Sequence, residues 1–291
     1  MMKILVVGGT GLIGSHITRE LLKKGHQVTI GTRGKGEDNF SDEVQRLILN
    51  RVEPDNLLQA LNGLEFDVVY DTQAYSSNEV KYLLEAVSCK KYIEVSTISV
   101  YSPEIKNLLT EEEFDPYEYP LNWCDRGEFS YDEIKRQAEC AIFQSYAAIP
   151  SIAVRIPYVI GIDDTTRRLH AYVESILNKK AIHIDNLEAE ISFIKSSEAG
   201  KFMAWLADTD LQGPVNASSI GQISISEIVA YIENKTGIKA ILSDRADEAS
   251  YNGCPSFSLN LEKATTAGFE FSSLNEWIFE LIDELIKVSL T

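Results

Sequence analysis

Seven residues near the start of the chain limit its fold more than any others: Gly8-Gly9-Thr10-Gly11-Leu12-Ile13-Gly14. They place glycine at i, i+3 and i+6, directly after Lys3 to Val7, an apolar run that reads as a buried strand. They open the stretch Leu12 to Lys24, which puts Ile13, Ile17 and Leu21 on one helical face before Gly25 stops it. Each glycine has a physical task. The first turns the chain tightly, the second lets backbone N–H groups approach a pyrophosphate, and the third lets helix pack closely on strand. The helix N-terminus adds unpaired N–H donors and a dipole that favours an anion. A glycine triplet alone is weak evidence; between a strand and a helix it predicts a phosphate cradle built from Gly8, Thr10, Gly11, Leu12, Ile13 and Gly14.

The residues that follow keep alternating between two periodicities. Strands are predicted at Gln27 to Thr32, Val44 to Leu49, Asp67 to Asp71, Tyr92 to Ser96 and Ile152 to Ile156, with helices at Asn56 to Leu61, Asn78 to Val87 and Tyr131 to Ala147. This order predicts an α/β fold, a doubly wound parallel sheet of the Rossmann kind, with ligands at the carboxyl ends of its strands. From Pro157 the pattern becomes mixed: helices at Leu169 to Leu177, Ser197 to Leu206, Ser226 to Lys235 and Leu274 to Val288, and strands at Ala181 to Ile184 and Ile191 to Ile194. The expected layout is a dinucleotide-binding domain (1–157 plus about 190–212) and a smaller mixed α/β C-terminal substrate domain (about 158–189 and 213–291). Pro103 to Ser130, acidic and rich in aromatics, has the length of a lid or binding loop, or of a plain solvated excursion.

The chain has 291 residues and a net charge of -17. That balance argues against nucleic acid, whose affinity for protein comes largely from Lys and Arg neutralising phosphates. Cys89, Cys124, Cys140 and Cys254 form no CxxC pair and only 4 His are present, so no metal site is expected. Scattered cysteines fit a reducing, cytoplasmic setting. No apolar run approaches the ~20 residues needed to cross a bilayer, and the N-terminus lacks a signal-peptide pattern.

Two further stretches carry chemistry. The second strand ends Gly31-Thr32-Arg33-Gly34-Lys35, without the carboxylate that usually accepts from a ribose 2'-hydroxyl. Arg33 and Lys35 can instead pair with a 2'-phosphate, so NADP is expected over NAD. Tyr131-Asp132-Glu133-Ile134-Lys135 sets Tyr and Lys at i and i+4, on one helical face. A free phenol titrates near ~10, and a neighbouring ammonium lowers that value, so the pair suits general acid–base catalysis. Thr97, at the end of the Tyr92 strand, is the candidate to hold the substrate oxygen, with Ser96 and Ser99 as alternatives. Arg167 and Arg168 follow Asp163-Asp164 and either grip an anionic substrate or pair with those carboxylates.

Taken together, these stretches resemble the extended short-chain dehydrogenase/reductases, the NAD-dependent epimerase/dehydratase family. The matching residues are Gly8 to Gly14, Phe66-Asp67-Val68-Val69, Ser96 to Tyr101, Tyr131 to Lys135 with Glu139, Arg155 to Gly161, Phe193-Ile194-Lys195, Gly213 to Ala217 and Ala264 to Phe269. The resemblance covers nearly the whole chain. It implies Tyr131 as the base, Lys135 binding the nicotinamide ribose and tuning Tyr131, and Thr97 in the usual Ser/Thr position. It also implies Asn50 and Arg51 near the adenine. Thr32, Thr72, Gln73, Ala74 and Pro157 are further candidates along the cofactor, and Tyr75, Ser99, Tyr158 and Arg168 toward substrate. Family members acting on nucleotide sugars often carry Asn where Tyr158 stands and Gly where Ser102 stands; these departures bear on the substrate, not on the cofactor. Gly31 to Lys35 and Asp71 to Tyr75 are closer to an atypical subgroup that includes plant chloroplast proteins once described as RNA-binding.

The expected function is thus an NAD(P)-dependent oxidoreductase, epimerase or dehydratase acting on a hydroxyl or carbonyl of a small substrate, nucleotide sugars included. The alternatives are a non-catalytic NAD(P)-binding sensor or an RNA-binding protein of the same fold. The family also implies a homodimer through the helices Asn78 to Val87 and Tyr131 to Ala147, where Leu83, Leu84 and Val87 suit either an interface or a core.

Overall fold

The computed structural model describes residues 1–35 and 38–290. Its elements run β1 (Lys3–Val7), α1 (Leu12–Lys23), β2 (Gln27–Thr32), β3 (Gln45–Ile48), α2 (Pro54–Leu61), β4 (Glu65–Asp71), α3 (Ser77–Ala86), β5 (Ser88–Thr97), α4 (Tyr131–Cys140), β6 (Ser151–Ile156), β7 (Tyr158–Ile160) and α5 (Arg168–Leu177). There follow β8 (Ala181–His183), β9 (Glu190–Ile191), β10 (Phe193–Lys195), α6 (Ser196–Leu206), β11 (Gly213–Asn216), β12 (Ile223–Ser224), α7 (Ile225–Thr236), β13 (Ile241–Leu242), β14 (Asp247–Glu248), α8 (Glu262–Thr266) and α9 (Ile278–Ser289). Seven strands form one sheet in the order β11-β6-β5-β4-β1-β2-β3, every pair parallel.

The strands read as unbroken apolar runs because alternate residues serve different cores. Ile4 and Val6 join Ile17 and Leu21 of α1 and Phe202 of α6 on one face. Leu5 and Val7 join Leu57 of α2 and Leu83 of α3 on the other. Residues i and i+2 of a strand share a face, so a strand covered on both sides must be apolar throughout. Each such side chain contributes about 1.5–3 kcal/mol of burial, which is why the alternation is legible in the sequence. Chain order reverses at β1, whose neighbours are β2 and β4, and a crevice opens above their carboxyl ends. A third core, with Leu169, Tyr172, Ile228 and Leu281, lies under the later segments.

Several predicted boundaries move. β5 starts at Ser88, not Tyr92: its polar beginning is zipped to β4 through Glu65↔Ser88 and Phe66↔Cys89. The predicted helix to Ala147 is α-helical only to Cys140 and then widens into a π turn, Ala141–Ser145. The predicted C-terminal helix begins as a separate 3-10 turn, Leu274–Glu276. Gly213–Asn216, assigned by the sequence pattern to the second unit, is the edge strand of the main sheet because its backbone pairs with β6.

Residues 103–130 form a strap across α4 that also lends Ile105 and Arg126 to the lining of the crevice. Asn122 N donates to Gln137 Oε1 (2.6 Å), Gln137 Nε2 to Pro120 O (3.1 Å), and Gln144 Nε2 to Pro116 O and Tyr119 O (both 2.7 Å). Arg155, 0% exposed, reaches from β6 to the strap carbonyls of Glu111 (2.8 Å) and Phe114 (3.0 Å) while pairing with Glu139 (2.6 Å). Residues 134–143 are buried in consequence. Leu83, Leu84 and Val87 are likewise buried in the monomer's own core, so the interface reading of these three is corrected. No helix among the described residues is long and apolar enough to cross a membrane.

Candidate active site

The glycine turn is shaped as its spacing predicts. Gly8 has φ +79°, and a Cβ there would sit 2.3 Å from Thr72 Oγ1. A Cβ on Gly14 would lie 2.1 Å from Gly8 O, so the helix can approach the turn only as glycine. At Gly11 a Cβ would meet nothing within 4 Å except Gly8 O at 3.3 Å: it faces open space. No side chain caps α1 at Gly11, which leaves its first N–H groups for an anion. This is a cradle that fits a diphosphate and that any side chain would fill.

Two cavities meet at this turn, sharing Gly11 and Gln73. The smaller, about 310 Å³, is lined by Gly8, Thr10, Thr32, Arg33, Asn50 and Arg51 among others, the residues expected toward adenosine. The larger, about 630 Å³, is lined by Leu12, Ile13, Gly14, Thr72, Ala74, Tyr75, Thr97, Ser99, Tyr131, Lys135, Pro157, Tyr158 and Arg168 among others. Three separate regions of the sequence thus come together on one crevice. Lys35 lines neither cavity.

The smaller cavity carries Arg33, Arg51 and Arg126 on its lining. Arg33 is exposed and, among the described residues, has no ion-pair partner. Asp38, the nearest carboxylate after β2 in the described chain, is held by Arg46 at 2.7 and 2.9 Å. Arg51 differs from its expected role at an adenine: it is buried, ion-paired with Asp71, and donates to Glu79 O at 2.9 Å. Burial pulls its guanidinium down, but the charge and hydrogen bond of Asp71, with Tyr92 and Glu79 adding, together raise it. The sequence reading missed Arg126, which lines this cavity from the strap, stacks 4.0 Å from the Tyr75 ring and donates to Gln73 O at 3.1 Å.

At the other end, Tyr131 opens α4, is 50% exposed, and meets Tyr75 edge-on at 6.3 Å. Thr97 Oγ1 accepts the Ser99 N–H at 3.2 Å and lies 3.3 Å from Ser99 Oγ. Its oxygen is therefore fixed while its proton has only a long contact. Ser96, the alternative, is buried and donates to Glu139, so it is withdrawn from the candidate substrate donors. Lys135 is the main departure. It is 3% exposed, and its ammonium donates to Ala74 O (2.6 Å), Glu94 Oε1 (2.6 Å) and Val95 O (3.0 Å). A ribose-binding lysine would keep one of these hydrogens available. Burial alone would lower it, but Glu94, with Tyr131 and Glu139 adding, holds it above its usual range.

Farther along the crevice the two candidate arginines separate. Arg167 pairs with Glu174, whereas Arg168 lies over the Tyr158 ring at 5.5 Å and forms no ion pair among the described residues. Asp163 is taken by His16 (2.7 Å) and Ser196 (2.9 Å). Burial pushes the Tyr158 phenol up, with Cys254 adding to the shift. Asn252, Gly253, Cys254 and Pro255 close this end. Only the fold brings this loop here; an Asn-Gly turn signal was its sole mark in the sequence. Glu94 did carry a signal, a carboxylate inside the otherwise apolar Tyr92-Ile93-Glu94-Val95. No cluster of His, Cys, Asp and Glu among the described residues could hold a metal ion.

Residues 4–221 match the model of the NAD dependent epimerase/dehydratase family. The chain is 37% identical over 129 residues to a chloroplast stem-loop binding protein of 41 kDa b from Arabidopsis thaliana, a match covering 39% of this chain and 34% of that protein. It is 25% identical over 138 residues to 2'-dehydrokanamycin reductase from Streptomyces kanamyceticus, covering 47% of this chain and 38% of that one. The chain thus spans little more than a third of the length of these relatives. Among solved structures it is similar to UDP-glucose 4-epimerase from Thermotoga maritima with UDP-glucose (TM-score 0.78, 17% identity, 100% of both chains). It is also similar to UDP-glucose 4-epimerase from Thermus thermophilus in complex with NAD (TM-score 0.72, 16% identity, 98% of this chain and 99% of that one). At these identities the structures share the fold. With three quarters of its length matched and the glycine cradle, parallel sheet and crevice in place, the chain belongs to the NAD-dependent epimerase/dehydratase family.

Proposed function

We propose that this protein is an NADP(H)-dependent enzyme that oxidises or reduces a hydroxyl or carbonyl carbon of a small substrate, with Tyr131 as its general acid and base. The supporting observation is the crevice itself. In a chain with 44 Asp and Glu residues, the described residues that line its two cavities include no carboxylate, while Arg33 at the adenosine end has no ion-pair partner among the described residues. That arrangement suits a cofactor with an extra phosphate.

The cofactor, when bound, supplies or accepts hydride at the substrate carbon. The residues do the rest. The α1 N–H groups and Gly11 would hold the cofactor's diphosphate. The Tyr131 phenol gives a proton to the substrate oxygen in reduction and takes it in oxidation. Thr97 and Ser99 orient that oxygen: a substrate can take the Thr97 proton because its contact to Ser99 Oγ is long. Arg168, over Tyr158, faces the distal part of the substrate and favours an anionic group there. We take the sheet half as the cofactor unit and residues 158–189 with the C-terminal segments as the substrate unit.

Dissociation constants for NADPH and NADH test this reading. NADPH is expected to bind at least about tenfold more tightly; equal affinities or tighter NADH refute the cofactor assignment. Tyr131→Phe should lower turnover by about 10²–10⁴ and leave NADPH binding intact, as loss of an acid–base group alone does. The strap over α4 leads us to infer a monomer, set against the homodimer that the family suggests. A dimer in sedimentation at micromolar protein would overturn that. The free cysteines suit a cytoplasmic location.

A further inference from the structure

An ammonium has three donors and no acceptor. All three donors of Lys135 are taken: by Ala74 O and Glu94 Oε1 at 2.6 Å and by Val95 O at 3.0 Å. Two of these acceptors are backbone carbonyls that any sequence would offer. Glu94 is the one this chain adds. It sits in β5, 0% exposed, and Lys135 is its only ion-pair partner among the described residues. The neighbouring carboxylates are engaged elsewhere. Glu139 is bound by Arg155 and Ser96, and Asp71 by Arg51 and the Tyr92 hydroxyl (2.9 Å). Glu94 Oε2 has no hydrogen-bond partner, so the side chain is anchored through Lys135 alone.

We propose that Glu94 is a positioning residue: it pins Lys135 beneath the crevice so that the lysine acts on Tyr131 through its charge alone and leaves the cofactor ribose to other groups. This rests on the reading of Tyr131 as the acid–base residue. The groups that face the pair are Glu139 and Tyr131 on α4, Asp71 on β4 and Tyr92 on β5, with the Tyr75 ring 5.9 Å from Lys135 Nζ. Arg51 and Arg155 stand behind Asp71 and Glu139 as their counter-ions. Burial pushes Glu94 up to about 7, against the pull of Lys135 and with Glu139 and Asp71 adding to it. It is therefore charged at the alkaline pH where phenols ionise, and it offsets part of the field that Lys135 presents to Tyr131.

Two measurements that need no substrate test this. The first is the NADPH dissociation constant, read from cofactor fluorescence. Lys135→Met should stay within about twofold of the parent protein; a weakening of about tenfold or more, the size of a lost charge-assisted hydrogen bond, shows that Lys135 reaches the ribose and overturns the proposal. The second is the tyrosinate absorbance of each protein minus that of its Tyr131→Phe counterpart, followed against pH. Glu94→Gln keeps an oxygen for Nζ and removes the counter-charge, so this difference curve should move to lower pH by about one unit. An unmoved curve, or one moved upward, makes Glu94 a structural residue only. If Glu94→Gln does not fold, Glu94→Asp replaces it and should move the curve the same way by less; no movement has the same consequence. Should the parent protein fail to bind NADPH, the cofactor reading falls, while the absorbance curves still decide the role of Glu94.

Discussion

The two ends of the crevice treat positive charge differently. At the adenosine end Arg33 is exposed and, among the described residues, has no ion-pair partner, beside Arg51 and Arg126, which Asp71 and Glu79 hold. At the catalytic end Lys135 and the nearby Arg155 are buried and locked to Glu94 and Glu139. A cation left free in a chain of net charge -17 is in place to meet an incoming anion. A buried and paired cation holds other groups where they are and supplies a fixed field. Carboxylates are absent from the described lining of both cavities and lie one layer beneath: Asp71 and Glu79 under the smaller cavity, held by Arg51 and Arg126, and Glu94 and Glu139 under the catalytic end. The difference separates residues that bind from residues that build the place where binding occurs.

The largest expected effect tests the building side. Arg155→Met would strand Glu139 without its counter-ion and leave the carbonyls of Glu111 and Phe114 without their donor. Removing one partner of a buried pair costs about 3–5 kcal/mol. Arg33→Ala, at an exposed site without an ion pair among the described residues, should change stability by less than about 0.5 kcal/mol. Urea denaturation compares the two. A loss below about 1 kcal/mol for Arg155→Met would erase the distinction between the two ends.

Next in size is a pH effect on the same side. Folded Glu94 keeps its proton up to about 7, whereas the unfolded carboxyl releases it near 4.5. The folded value is the higher one, so its contribution to stability is complete below the unfolded value and is lost as pH rises through the folded value. The parent protein should therefore lose stability relative to Glu94→Gln between about pH 4.5 and about pH 7. Urea midpoints of both proteins at several pH values across that window measure it. A difference that is flat, or that grows in favour of the parent protein, would show that burial does not govern Glu94.

How much of this was legible in the sequence also divides along the crevice. The glycine cradle and the strands under it are local: Gly8, Gly11 and Gly14 act within one turn, and Ile4 to Val7 declare burial on both faces by being apolar throughout. Tyr131 and Lys135 are one helical turn apart, so their shared side was readable too. What Lys135 does there was not, because its partner Glu94 lies on a strand 41 residues earlier. Arg126 and the Asn252 to Pro255 loop reach the cavities only through the strap and the late segments, and no periodicity encodes such placements. The polar start of β5 was missed for a related reason: Ser88 and Cys89 are strand because β4 offers them backbone partners, not because of their side chains.

On the binding side the effects are smaller and more selective. Arg33→Ala should weaken NADPH about tenfold, the scale of a charge-assisted contact to phosphate, and leave NADH almost unchanged. Equal losses for both cofactors would mean that Arg33 supports the site in general and does not read a 2'-phosphate.

The smallest effect sharpens the comparison most. Lys35 carries the same charge as Arg33 and stands two residues away, yet it lines neither cavity. If net positive field at the end of β2 were enough to select NADP, Lys35→Ala would weaken NADPH much as Arg33→Ala does. If contact is required, the effect is limited to long-range attraction, which solvent and salt screen beyond about 8 Å at physiological ionic strength. We expect a change of less than about twofold in the NADPH dissociation constant at such salt, growing only when the salt is lowered. A tenfold loss that persists at high salt would place Lys35 on the phosphate, and the unpaired state of Arg33 would then no longer distinguish the two ends of the crevice.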